Sequence, residues 1–284
     1  MSGANQQQIE HWNGPGGASW RRHQERLDDM FAAFSEAALR AAAVRPGERV
    51  LDVGCGAGAT TLALAGMVGP GGAVVGVDVS APLLGRARER ADAAGLAVEL
   101  RLADAADAPL GGPYDLLFSR FGVMFFADPV AAFTHLRAAA KPDGRLAFMC
   151  WRAAADNDWG ALPHRALRDL LPPLPPTDPS APGPFAFADR GRVLAILEAA
   201  GFRDVALAPF DAPLRFGRGD SREAALDDAL AQAAEVGPLT RLLAGHDDDL
   251  RRRALAAVRA AFAERAGPDG VFLRAAAWIV TARA

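Results

Sequence analysis

"LDVGCGAGAT" (residues 51–60) sets glycines at 54, 56 and 58 between an apolar run and a helix-like stretch. Alternate glycines let the chain turn sharply and strip the turn of side chains, so a ligand can lie against the backbone. Upstream, "ERVLDV" (48–53) reads as a strand; downstream, 59–68 reads as a helix. The stretch is therefore a strand-to-helix turn, and in open parallel sheets ligands bind outside the carboxyl ends of the strands.

The same alternation runs outward from this turn. Strands are expected at "AVVGVDV" (73–79), "AVELRLA" (97–103), "YDLLFS" (114–119) and "GRLAFMC" (144–150), with helices at 81–94, closed by Gly95, and from Pro129 to Ala140. Strands that are apolar throughout and separated by helices predict an α/β fold with a doubly wound, mostly parallel sheet covered on both faces. Ahead of the first strand, Leu27, Met30, Phe31, Phe34 and Ala38 fall at helical spacing and predict an amphipathic helix over 20–43. After Trp151 the rhythm breaks at "PPLPPTDPSAPGP" (172–184), whose seven prolines forbid helix and central strand alike. It returns with a helix at 190–200 and a strand at 203–208. Mostly helical, alanine-rich sequence then precedes "VFLRAAAWIVTAR" (271–283), read as the closing seventh strand. The organisation expected is an N-terminal helical cap segment (1–44), a ligand-binding core (45–150), a lid insertion (151–189), a return to the core (190–208), a helical cap insertion (209–268) and the last strand (269–284).

Composition narrows the partners. Hydrophobic residues make up 51% of the 284-residue chain and the formal net charge is −3, which suits a globular protein without a phosphate-tracking basic surface. Arg251 to Arg253 follow Asp247 to Asp249, an order that complements a helix dipole on a solvated face. Cys55 and Cys150 have neither disulfide nor zinc spacing, so no metal is expected and a reducing, cytoplasmic setting is. No 18-residue apolar run and no signal-like N-terminus occur, so neither a membrane span nor export is expected. Oligomeric state leaves no mark on the sequence.

The glycine turn alone suits several cofactors. Gly54, Gly56 and Ala59, with Asp78 about 20 residues on, even satisfy a dinucleotide fingerprint, which keeps a nicotinamide-dependent oxidoreductase open. Asp52, two residues before the first glycine, would repel a pyrophosphate but suits a ligand with an ammonium and a sulfonium group. Asp78 and Asp104 follow at the ends of the second and third strands.

With these motifs in order, "VLDVGCGAGATTLALA", "VVGVDVSAPLL", "LADAADAPL", "YDLLFSRFGVMFFADP" and "AAAKPDGRL", the chain resembles the class I S-adenosylmethionine-dependent methyltransferases, in particular the bacterial small-molecule branch with the ubiquinone and menaquinone biosynthesis enzymes. The resemblance is strong over 45–150 and implies a Rossmann-like, seven-stranded sheet with an antiparallel last strand and a helical cap. It implies that Asp52, Gly54, Gly56 and Gly58 hold the methionine part of S-adenosylmethionine and that Asp78 accepts the ribose hydroxyls. It further implies that Val79 and Leu83 pack on the adenine, that Asp104 accepts its amine, that the Ala105 N–H donates to a ring nitrogen, and that Ser119 faces the sulfonium. The expected reaction is in-line methyl transfer to a small, apolar or aromatic acceptor. A cofactor-binding protein without transfer stands as the other alternative. "FSRF" where base- and amide-methylating enzymes carry "NPPY" argues against nucleic acid.

Candidate catalytic groups are Arg120, able to grip a carboxylate or phenolate or else to pair with a lid carboxylate, and His23 and His164 as bases. His135, mid-helix, and Tyr114, at a strand entrance, are expected to pack, as is Cys55. "FGVMFF" (121–126) with Trp12, Trp20, Trp151 and Trp159 could line an aromatic pocket or fill a core.

Overall fold

The computed structural model describes residues 5–172 and 178–284, with every side chain among them except that of Arg241. The chain divides into two compact units. The first contains residues 1–152, 179–210 and 277–284, and the second contains 153–178 and 211–276.

The first unit begins with four short helices, α1 (Gln6–Asn13), α2 (Pro15–Arg22), α3 (Gln24–Met30) and α4 (Ala32–Ala42). A single helix over 20–43 was expected. The chain instead breaks at His23 and Phe31, with near-zero ψ at both caps. The apolar spacing survives the breaks, since Leu27, Met30, Phe31, Phe34 and Ala38 are all buried. β1 (Arg49–Val53), α5 (Ala59–Val68), β2 (Ala73–Asp78), α6 (Ala81–Ala94), β3 (Glu99–Leu102), β4 (Tyr114–Arg120), α7 (Pro129–Ala138) and β5 (Ala140–Trp151) follow. Caps explain the helix limits: Ser80 Oγ accepts from the Leu83 N–H at 3.4 Å with a proline in the first turn, and Gly95 closes α6 in the left-handed region.

The sheet runs β3-β2-β1-β4-β5-β8-β6. β1 through β5 are parallel, and β8 (Gly270–Arg283) pairs antiparallel with β5 from Arg145↔Arg283 to Trp151↔Ala277. A two-residue strand, β7 (Ala266–Gly267), joins β8 off this path, making an eighth strand. α9 (Arg190–Ala199) precedes β6 (Arg203–Gly217). β6 continues through residues 209–217, which were expected to be helical. It is the last strand of the sheet, where Pro209 and Pro213 cost no ladder bond, and Leu214 and Phe216 are buried at period two. The core of this unit is set by fully buried Leu51, Leu64, Leu84, Leu117, Phe118 and Phe148. Each contributes about 1.5–3 kcal/mol of burial.

The second unit holds α8 (Asp158–Leu167), α10 (Arg222–Glu235), α11 (Pro238–Leu242) and α12 (Asp248–Ala263). Asp247 caps α12, its carboxylate accepting from the Leu250 N–H at 2.8 Å, and Arg252 pairs with Asp249 on the exposed face. Of the proline-rich stretch, residues 173–177 lie outside the described residues, and 178–184 form turns. No described helix is long and apolar enough to cross a membrane.

Candidate active site

At the carboxyl end of β1 the chain buries an aspartate completely. Asp52 has no solvent exposure, and its Oδ2 accepts from Thr60 Oγ1 at 2.8 Å and Thr61 Oγ1 at 2.7 Å. Oδ1 has no partner among the described residues. Burial pushes the Asp52 carboxyl up to about 6, against the threonine hydroxyls and the Arg120 charge, which favour ionisation. A sealed, half-satisfied carboxylate costs folding free energy unless a donor reaches it. The two threonines went unnoticed in the sequence. Their signal is "ATT" opening the helix after the glycines, which brings hydroxyls back over the strand end.

The three glycines do different work. Gly54 has φ +68°, and a Cβ there would stand 2.7 Å from the Gly122 Cα, so it admits the start of the loop after β4. Gly58 stands equally close to a helix, its Cβ position 3.0 Å from the Ala87 methyl. Only Gly56, at φ +54°, looks into open space, where a Cβ would find just Leu83 Cδ1 at 4.0 Å. Open space along the turn is thus confined to Gly56, next to the uncapped start of α5. Cys55 is buried beside Gly76, and burial raises its thiol well above the usual range, which suits packing and not nucleophilic attack.

Asp78, at the end of β2, takes the Gly56 N–H on Oδ2 at 2.7 Å and the Ser80 N–H on Oδ1 at 2.8 Å. Burial raises its carboxyl, and these N–H donors oppose the rise. Each oxygen keeps a lone pair for a hydroxyl. Val79 is partly exposed and Leu83 buried beside it. Beyond β3, Asp104 accepts from the Ala106 N–H at 2.9 Å and from Asn5 Nδ2 at 2.9 Å, while the Ala105 N–H donates to no group among the described residues. The N-terminal helices are tied to this edge at further points. Asn13 Nδ2 donates to the Val79 carbonyl and its Oδ1 accepts from the Ala81 N–H, while Ser80 Oγ donates to the Trp12 carbonyl. Neither asparagine stands in a motif that would mark it from sequence.

Ser119 is buried, and its hydroxyl donates to the Val53 carbonyl at 2.8 Å and accepts from the Gly122 N–H at 3.2 Å. It fastens β4 to β1, with one lone pair left for a ligand. Arg120 makes no hydrogen bond or ion pair among the described residues, and its buried Nε has no partner there. Its guanidinium lies 5.4 Å from the Phe31 ring centroid. Next to it Phe121 adopts φ +62°, strained for a phenylalanine, and stacks on Trp151 at 3.9 Å and 11°. Phe31, Phe34 and Trp151 are buried, whereas Phe121, Trp12 and Trp20 stay partly open. The cluster is both core and wall.

The histidines fare differently. His23 is partly buried at the junction of α2 and α3. His164 is exposed on α8 in the second unit, where Trp159 is partly buried and its Nε1 donates to Asn157 Oδ1. His135 Nε2 contacts the Ala108 carbonyl at 2.8 Å, and Tyr114 is fully buried with its hydroxyl on the Leu110 carbonyl. Both are structural. No group of described His, Cys, Asp and Glu residues is arranged to hold a metal.

An open α/β sheet of this order, with a glycine turn after β1 and carboxylates ending β1 and β2, has the geometry of a nucleotide-cofactor site. Residues 50–144 match the family model described as methyltransferase domain. It is 34% identical over 181 residues to nocamycin O-methyltransferase of Saccharothrix syringae, covering 60% of this chain and 65% of that protein. Against demethylmenaquinone methyltransferase of Bacillus cytotoxicus it is 32% identical over 130 residues, covering 45% and 52%. The chain therefore spans less than two thirds of the length of these relatives. The YcgJ protein of Bacillus subtilis shares the fold, with a TM-score of 0.56 at 17% identity, covering 88% of this chain and 97% of that one.

Proposed function

We propose that the protein transfers a methyl group from S-adenosylmethionine to a small, apolar or aromatic acceptor by in-line displacement. The observation that carries this reading is the buried Asp52 Oδ1, an unpartnered acceptor on the strand that leads into the glycine turn, where Gly56 looks into open space. A cationic amino group satisfies it, and a dinucleotide pyrophosphate would be repelled by it.

When bound, the cofactor supplies a methyl group already activated on a sulfonium. The chain's own residues then have to bind, orient and exclude water, and alignment alone can supply effective molarities of about 10⁵–10⁸ M. Asp52 and the Gly54, Gly56 and Gly58 turn hold the methionine end, and Asp78 accepts the ribose hydroxyls on its two free lone pairs. Val79 and Leu83 flank the adenine, Asp104 and the Ala105 N–H meet its polar edge, and Ser119 stands at the sulfonium end. The partly open Phe121 on its Trp151 stack offers an aromatic wall to the acceptor. The names of the two relatives, one an O-methyltransferase and one acting on demethylmenaquinone, support a small-molecule acceptor. Neither His23 nor His164 is needed as a base if the acceptor arrives ionised.

Calorimetry tests the reading. S-adenosylhomocysteine should bind and raise the melting temperature, NAD should do neither, and Asp78→Ala should abolish the first effect. Failure of both S-adenosylmethionine and its product to bind would overturn it. Labelled methyl transfer into a metabolite extract, with mass identification of the product, then names the acceptor.

A further inference from the structure

We infer that Arg120 and Asp52 together form a clamp for an α-amino-acid zwitterion, Arg120 taking the carboxylate and Asp52 the ammonium of the bound cofactor. This rests on the S-adenosylmethionine reading above and adds a binding residue to it.

Two complementary orphans carry the inference. Asp52 Oδ1 is a buried acceptor without a donor, and Arg120 Nε is a buried donor without an acceptor. Register places them on one face of the sheet. Asp52 on β1 stands opposite Phe118 on β4, in-register side chains of parallel strands share a face, and Arg120 lies two residues further along the same strand. The offset is about 7 Å along the strand, toward the carboxyl edge where the glycine turn opens.

The charges near Arg120 fix its place more closely. They are Asp28, Asp52 and Arg90. Arg90 donates from Nη1 to the Ala57 carbonyl inside the glycine turn and pairs with Asp28 at 2.8 Å. Arg120 thus lies within electrostatic reach of the arginine that bonds to the turn. Yet Asp52 and Arg120 form no ion pair among the described residues, although each acts on the other's charge. Two opposite charges held apart in a buried site are costly unless something bridges them. An amino acid head group does so from a single carbon, ammonium on one side and carboxylate on the other. The Phe31 ring under the guanidinium and the strained Phe121 after it hold the side chain from swinging away.

The test is titration calorimetry of wild type, Arg120→Met and Asp52→Asn with three ligands. These are S-adenosylhomocysteine, its decarboxylated analogue, which keeps the amine, and methylthioadenosine, which lacks both groups. Arg120→Met should weaken S-adenosylhomocysteine about 10- to 100-fold and leave the other two unchanged, which also shows that the variant is folded. Asp52→Asn should weaken the two amine-bearing ligands and spare methylthioadenosine. If Arg120→Met weakens all three equally the clamp is wrong and the residue is structural. If it weakens none, the guanidinium belongs to an acid on the acceptor. Wild-type protein that binds none of the three would overturn the cofactor reading itself.

Discussion

Asn5 Nδ2 donates to Asp104 Oδ2 at 2.9 Å, joining the first described residue to the end of β3 across 99 positions of sequence. Asp104 is the residue to which the resemblance assigns the adenine amine. Asn5 is itself buried, with its Oδ1 unpartnered. Asn5→Ala should therefore free Asp104 and tighten S-adenosylhomocysteine several-fold, while removal of a charge-assisted hydrogen bond lowers unliganded stability by about 1.5–3 kcal/mol. Calorimetry and melting curves measure both. A weaker affinity would mean that Asn5 and the adenine share the carboxylate.

Asp52 makes cofactor binding pH-dependent. Its folded carboxyl titrates near 6 against an ordinary 3.8, because burial disfavours the charged form. A raised folded value stabilises the fold fully below about pH 4, and that contribution, on the order of 3 kcal/mol, is lost as pH rises through 6. Asp52→Asn should accordingly raise the melting temperature at pH 7.5 and leave it unchanged at pH 4. Binding runs the other way, since an ammonium needs the ionised form. Affinity for S-adenosylhomocysteine should fall about tenfold per pH unit below 6, and a flat profile in wild type would remove Asp52 from the ammonium site.

Gly54 and Gly56 separate packing from ligand approach. Gly54→Ala drives a methyl into the Gly122 backbone at 2.7 Å at positive φ, and should cost about 2–4 kcal/mol of stability. Gly56→Ala meets open space, so its cost is the backbone strain of about 1–2 kcal/mol. Its loss of S-adenosylhomocysteine affinity should be the larger of its two effects. Melting temperature and calorimetry on both variants decide this, and equal stability losses would show that the two glycines are interchangeable.

What the sequence could show depended on period. From Arg49 to Ala94 the alternation of buried strand and capped helix is local, so α5 and α6 fall where apolar spacing, Ser80 and Gly95 place them. The strand expected over 203–208 runs on to 217 as β6, because at the sheet edge Pro209 and Pro213 do not interrupt it. The acidic residues could be picked out because Asp52, Asp78 and Asp104 form an ordered set at or just beyond the ends of three successive strands, although each alone would read as a turn residue. Their partners could not. Thr60 and Thr61, eight and nine residues from Asp52, leave only the local signal "ATT", whereas Asn5 and the unpaired state of Arg120 depend on which side chains meet across tens of residues, of which composition and spacing carry no trace.

Asp158, in the second unit, should show the opposite pH sign from Asp52. Its side chain is fully buried and receives Arg274 Nη2 on Oδ1 at 3.0 Å, Arg274 Nε on Oδ2 at 3.1 Å and Arg265 Nε on Oδ2 at 3.2 Å. Burial raises its carboxyl, but the hydrogen bonds from Arg274 and then Arg265 outweigh it and bring the value to about 2. A depressed folded value contributes stability above the ordinary 3.8 that is lost as pH falls through 2. Arg274 is largely solvent-exposed, so screening limits the contribution to about 1–2 kcal/mol. Asp158→Asn should lower the melting temperature at pH 7.5, and its gap to wild type should close as pH falls from 4 toward 2. At pH 7.5, then, Asp52→Asn stabilises and Asp158→Asn destabilises. Melting shifts of the same sign for both variants would refute the assignment of one neutral-leaning and one firmly ionised buried aspartate.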